Sequence, residues 1–188
     1  MSTIAHVRGR VAGAAILTLF GSVWCLLALH FWAARPDWSI PAGCAATLAL
    51  LGLCVWRLMT LRGIRSVHDP DAAAKGKRAG ILFGIIFGAE GLLIAVSAML
   101  LARVGLDIWI PLVIAGIVGL HFIPLARVFE VPLYYWTGVI SVLGMLGCSL
   151  IRDAVARPLC AGLLMAAVLW LTAAVLIVKA QPMQLNRA

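Results

Sequence analysis

A single acidic residue, Glu90, lies near the middle of a long apolar run, residues 79–102, in this chain of 188 residues. An ionised side chain at the centre of a membrane helix costs roughly 2.5–3.5 kcal/mol on insertion scales, so such a residue calls for a partner or a function. Ser97 follows seven residues later and lies close to the same side of a helix. Together they are candidates for binding a proton, a cation or a polar solute. The alternative is a protonated carboxyl that only makes a structural hydrogen bond.

The best partner for Glu90 is His121, in the run GLHFIPLARVF at residues 119–129. Counted from the predicted cytoplasmic ends of their apolar runs, Glu90 lies about 11 residues deep and His121 about 5. This is a difference in depth of ~9 Å. Side chains lean toward the N-terminus of their own helix, so on antiparallel helices these two lean toward each other. We therefore expect a direct contact or a bridge through one water. A neutral, packed histidine is the alternative for His121.

Pro124 follows His121 by three residues and has no N–H to donate to the carbonyl of Leu120. It predicts a kink with a free carbonyl beside His121. Kinked helices at membrane depth often line cavities, although many proline kinks are only structural.

The same run resembles an H-F-x-P-L-A run in small multi-pass bacterial membrane proteins of uncharacterised function. The resemblance covers one short segment. It implies a bacterial plasma membrane as the location, and it implies no activity.

The elements that must position these residues are membrane helices. Hydrophobic residues make up 64% of the chain and charged residues 12%, with a mean hydropathy of +1.08, which no soluble domain of this size needs. A span takes about 20 residues, so the sequence predicts an all-α integral membrane protein with one domain, 1–188, of six transmembrane helices. The predicted spans are residues 11–34, 41–59, 79–102, 109–125, 133–150 and 159–178, with a basic cytoplasmic loop at 60–78.

The positive charges predict the orientation of this bundle. With six spans, eleven Lys and Arg fall on the side of the termini and four on the other side. This bias predicts that both termini are cytoplasmic. The net charge of +8 is thus explained by topology and does not indicate nucleic acid. Binding of anionic lipid by the basic loop is a further hypothesis.

Glycines form a second face on the third span. Gly80, Gly84, Gly88 and Gly91 share one stripe, and Glu90 points about 120° away from it. Small residues let helices approach closely in lipid. We expect helix packing within the chain at this stripe, and a homo-oligomer or membrane-partner face is the alternative.

Known catalytic and cofactor patterns are missing from the sequence. It contains no G-x-S-x-G, H-E-x-x-H, Walker or Rossmann motif, and its five cysteines are scattered singly. His30 and His121 fall near opposite ends of the bundle, which disfavours a shared haem. We expect no metal and no cofactor. The first hypothesis is a proton-coupled or cation/polar-solute transporter or channel; the alternative is a non-catalytic membrane subunit or scaffold. An intramembrane acid–base enzyme ranks third.

Overall fold

Long apolar runs separated by short polar turns fold into helices because every backbone polar group is then satisfied within its own segment. The computed structural model describes residues 4–32, 35–60 and 70–180, with the side chains of 7–32, 35–60 and 73–180. The described part contains six α-helices and a short 3₁₀ turn at Asp107–Trp109. The helices are α1 (Ile4–Phe31), α2 (Ser39–Thr60), α3 (Pro70–Arg103), α4 (Ile110–Val128), α5 (Leu133–Ser149) and α6 (Ala156–Lys179).

Five of these helices, all except α5, are long and apolar enough to cross a membrane. The apolar helix α5 has 17 residues, which corresponds to ~26 Å. The all-helical architecture agrees with the sequence prediction.

The third helix begins earlier than predicted. Residues 70–78, which we assigned to the basic loop, are helical, and residues 61–69 of that loop lie outside the described residues. Pro70 suits a first helical position, and Ala72 to Ala74 are strong helix formers. The polarity of this stretch therefore marks where the apolar run begins, whereas the helix itself begins earlier.

Five packed pairs of helices run in opposite directions, as contacts at two levels of each pair show. Between α1 and α6, Gly21 meets Trp170, and further along the helices Ala28 meets Gly162. The other contact pairs are Ser22–Thr47 and Cys25–Gly43 (α1 with α2), Phe83–Phe129 and Glu90–His121 (α3 with α4), Gly119–Ser141 and Gly138–Phe122 (α4 with α5), and Thr137–Thr172 and Gly144–Leu164 (α5 with α6). The N-terminal ends of α1, α3 and α5 therefore lie beside the C-terminal ends of α2, α4 and α6.

We call this end of the bundle the basic end. Its described cationic side chains are Arg8, Arg10, Arg57, Lys75, Lys77, Arg78, Arg127 and Lys179. The other end, which we call the opposite end, carries Arg35, Arg103, Arg152 and Arg157.

The core lies around α6, whereas α3 is peripheral. Half of the α6 span is buried, against 6% of the α3 span. Met165 and Leu169 of α6 and Val11 of α1 are among the largest fully buried side chains. α3 makes its main contacts with α4 and the 3₁₀ turn.

No described helix packs against the predicted glycine stripe of α3. An added Cβ at Gly80, Gly84, Gly88 or Gly91 would meet nothing within 4 Å among the described residues. Close packing instead uses glycines of other helices. Gly162 lies against the backbone of α1, and Gly138 lies against the carbonyl of Gly119. A four-residue glycine spacing shows a smooth face, but it does not show whether another helix reaches that face.

Asp153 caps the start of α6. Its Oδ1 accepts hydrogen bonds from the backbone N–H groups of Ala156 at 2.6 Å and Val155 at 2.9 Å. The hydrogen bond from Ala156 and then that from Val155 hold the pKa of this carboxyl below its ordinary value of 3.8.

This cap predicts a small acid dependence at the α6 terminus. Because the folded-state pKa is lower than the unfolded value, the ionised carboxylate stabilises the cap above about pH 4, and the stabilisation is lost as pH falls through the lowered pKa. We expect the carboxyl ¹³C resonance of Asp153 in detergent micelles to titrate below 3.8, and the Ala156 amide resonance to follow the same midpoint. A midpoint at or above 3.8 would contradict the cap.

Candidate functional site

One narrow stripe of α3 faces the rest of the protein. Phe83, Ile86, Glu90, Ile94 and Ser97 are covered at least in part, while their neighbours on other faces are exposed. Steps of three and four residues keep these side chains on one side of a helix. Glu90 is the fully buried member of this stripe, although its neighbours are apolar.

Glu90 and His121 meet at the interface between α3 and α4. Oε1 of Glu90 lies 2.9 Å from Nδ1 of His121. Their side chains are 6% and 15% exposed, so the pair is closed off by α3, α4 and the residues around them. The structure thus brings together the two residues that the sequence singled out as partners.

The register of the two helices explains why the expected depth gap is absent. Phe83 of α3 contacts Phe129, the residue after the last residue of α4, with ring centroids 5.8 Å apart. The two helices are therefore not flush at the basic end, because α3 begins well beyond the end of α4. Glu90 lies seven residues above Phe83 and His121 lies eight before Phe129, which places both at one level.

The pair leaves hydrogen-bonding capacity unused. The approach of Nδ1 to Oε1 is close, but it is not aligned as a hydrogen bond, and Oε2 of Glu90 has no partner among the described residues. A buried carboxylate oxygen without a partner is costly and calls for an explanation. The site can accept one more proton or donor at this oxygen.

The sequence of α4 aims His121 at α3. Gly119 packs against Ser141 and Val142 of α5. His121 is two residues further, which is ~200° around the helix, so it faces away from α5. Gly119 is a positioning residue that the sequence analysis did not single out, and a small residue two positions before a polar one is the signal that could have found it.

Ser97 and Pro124 lie apart from the Glu90–His121 contact. Ser97 is half-buried on the same stripe as Glu90, but it lies ~10 Å further along α3. α4 continues without interruption through Pro124 to Val128, so the proline does not end the helix. It still removes one backbone donor next to His121.

The site has no set of metal ligands. The described residues contain no group of three or more His, Cys, Asp or Glu side chains placed to hold a metal ion. His30 lies at the far end of α1, where it packs edge-on against Phe31. A carboxyl and an imidazole alone are suited to exchanging protons.

Over the residues that the structure describes, the fold is all-helical, with five helices long and apolar enough to cross a membrane and an acid–histidine pair between two helices. Comparison with family models, curated proteins and solved structures finds no match for this chain.

Proposed function

We propose that this chain is a small multi-pass transporter or channel-like protein of the bacterial plasma membrane, in which Glu90 and His121 bind a proton or a cationic or polar solute. The observation that carries the proposal is the buried carboxyl of Glu90, which lies 2.9 Å from the imidazole of His121 and whose second oxygen has no partner in the described part of the chain. Buried ionisable groups inside membrane bundles commonly mark ion or proton pathways.

The charge of the pair supports a link between proton binding and solute binding. With one proton shared between carboxyl and imidazole, the pair is neutral overall. Loss of that proton leaves one negative charge in an apolar interface, which a cation or a moving helix must compensate. Gain of a second proton leaves one positive charge. Each change in protonation therefore favours a different occupant of the site.

The limited contact of α3 with the rest of the described chain supports movement of this helix at the site. Only one stripe of α3 is covered by the rest of the described chain, and its main contacts are with α4 and the 3₁₀ turn. A helix held along one stripe needs few contacts to break when it shifts. Movement of α3 against α4 would open the Glu90–His121 pair to a solute.

The proposed topology has six spans with the basic end in the cytoplasm. Helix α5 is ~26 Å long, a few ångströms short of a hydrocarbon core of about 30 Å, and bilayers adapt to such mismatch at modest cost. It packs between α4 and α6 and runs antiparallel to both. Counted along the sequence, eleven Lys and Arg fall on the side of the termini and four on the other side, which favours the cytoplasm for both termini.

A hydrophobic carbodiimide tests whether Glu90 takes up a proton inside the membrane. Such reagents add to protonated carboxyl groups in apolar surroundings. We expect Glu90 to be labelled in reconstituted protein, because its carboxyl is buried among apolar residues, and Glu130 at the exposed basic end to stay unlabelled. Peptide mass spectrometry of the treated protein measures both sites. Absence of labelling at Glu90 would contradict proton uptake there.

A second function is favoured by the open glycine face of α3. Gly80, Gly84, Gly88 and Gly91 lie in open space among the described residues, and α3 is the least buried of the long helices. In this alternative the protein is a non-catalytic membrane subunit or scaffold, and a partner helix or a second copy packs on that face. The Glu90–His121 pair would then only attach α3 to α4.

A further inference from the structure

One end of α3 extends well beyond the helix that holds it. Near this end the ring of Phe83 contacts that of Phe129, which follows Val128, the last residue of α4. Residues 70–82, which we call the projecting segment, continue past this point for ~20 Å. An added Cβ at Gly76 or Gly80 would meet nothing within 4 Å among the described residues. All of its described side chains except that of Ala79 are exposed, so the projecting segment forms a helical arm with little cover from the described residues at the basic end.

Three cations lie together on this arm. Lys75, Lys77 and Arg78 are exposed, and the apolar run of α3 begins directly after them at residue 79. They therefore lie within ~6 Å, along the helix, of the start of that apolar run. In the proposed topology this is the depth of lipid headgroups.

The arm belongs to a strongly asymmetric distribution of charge. Among the described side chains, the basic end carries eight Lys and Arg and one acid, Glu130. The opposite end carries four Arg and three acids, which are Asp37, Asp107 and Asp153. Almost all of the excess positive charge therefore faces one leaflet.

We propose that the projecting segment, together with the rest of the basic end, binds the headgroups of anionic phospholipids in that leaflet. Ammonium and guanidinium groups pair with phosphate, and guanidinium does so through two hydrogen bonds. The phosphates of the bilayer are already at the depth of Lys75, Lys77 and Arg78, whereas a soluble polyanion would have to approach from outside. This inference goes beyond the transport proposal and does not depend on Glu90.

Lipid selectivity in reconstituted vesicles tests the proposal. The probe is spin-labelled phosphatidylglycerol, compared with spin-labelled phosphatidylcholine in vesicles of phosphatidylcholine, and the readout is the association of each with the full-length protein. We expect wild-type protein to prefer phosphatidylglycerol. The variant Lys75→Gln/Lys77→Gln/Arg78→Gln should lose at least about threefold of that preference. The matched control is Arg103→Gln/Arg152→Gln, which removes two exposed charges from the opposite end and should keep it.

A second measurement on wild-type protein keeps the test valid if the triple variant does not fold. The preference should decline as salt rises from about 0.05 to 1 M, because screening shortens the reach of exposed charges. Equal association of the two lipids with wild-type protein, an unchanged preference in the triple variant, or an equal loss in the control would each overturn the proposal. So would binding of duplex DNA by a protein that shows no preference for phosphatidylglycerol.

Discussion

Glu90→Gln is expected to abolish the proposed pH-dependent transport in vesicles, down to the background of vesicles without protein. A glutamine side chain is similar to a protonated glutamate in size and in hydrogen-bonding capacity, but it cannot release a proton. The variant thus lacks the carboxyl group that can change charge. The contact of 2.9 Å between Glu90 and His121 is replaced by a contact between a neutral amide and His121. The measurement is proton flux, reported by a pH dye inside proteoliposomes, on addition of a panel of inorganic and organic cations.

Two controls separate the role of the site from loss of structure. Glu130→Gln removes the exposed acid at the basic end and should leave transport unchanged. Glu90→Gln should keep a near-native unfolding transition, because a neutral partner leaves no uncompensated charge in the interface. Transport that persists in a folded Glu90→Gln protein would sink the transport proposal and favour the structural role of the pair.

Gly162→Leu is expected to have the largest effect on stability, whereas Gly84→Leu should have almost none. A Cβ at Gly162 would lie 2.8 Å from the Cβ of Ala28 and 3.0 Å from the carbonyl oxygen of Trp24. Backbone atoms of α1 cannot move aside without separating α1 from α6, so we expect a loss of about 3 kcal/mol or more. At Gly84 an added Cβ meets nothing, and leucine is the better helix former by roughly 0.8 kcal/mol.

Unfolding of the purified monomer in detergent, followed by circular dichroism, measures this contrast. A Gly84→Leu protein that is destabilised as much as Gly162→Leu would show that the glycine face of α3 is packed within the chain. The same variant tests the alternative function, since a partner on that face should be lost from Gly84→Leu and retained by Glu90→Gln in co-purification. Retention by Gly84→Leu would remove the support for a scaffold role.

The identity of the acid–histidine pair could be inferred from the sequence, but the geometry that joins the pair could not. Glu90 is the single acid inside an apolar run, and His121 lies in the next run along the chain, so few other partners were available. Their expected separation of ~9 Å assumed helices with flush ends. The contact between Phe83 and Phe129 shows that α3 extends past α4, and this offset places both residues at one level.

The glycines also show what the sequence can and cannot predict. Their spacing identified the stripe on α3, yet the close approaches between helices are at Gly119, Gly138 and Gly162, which follow no such repeat. A glycine is useful where another backbone arrives, and that depends on which helices become neighbours.

The sequence by itself determined the helical class, the apolar runs, the segregation of positive charge and the singular position of Glu90, because length, hydropathy and charge act locally along the chain. The tertiary structure decided the neighbours of each helix, the offset between α3 and α4, and the free faces of α3. These features depend on how all the helices pack together, and no single segment of the sequence determines that packing.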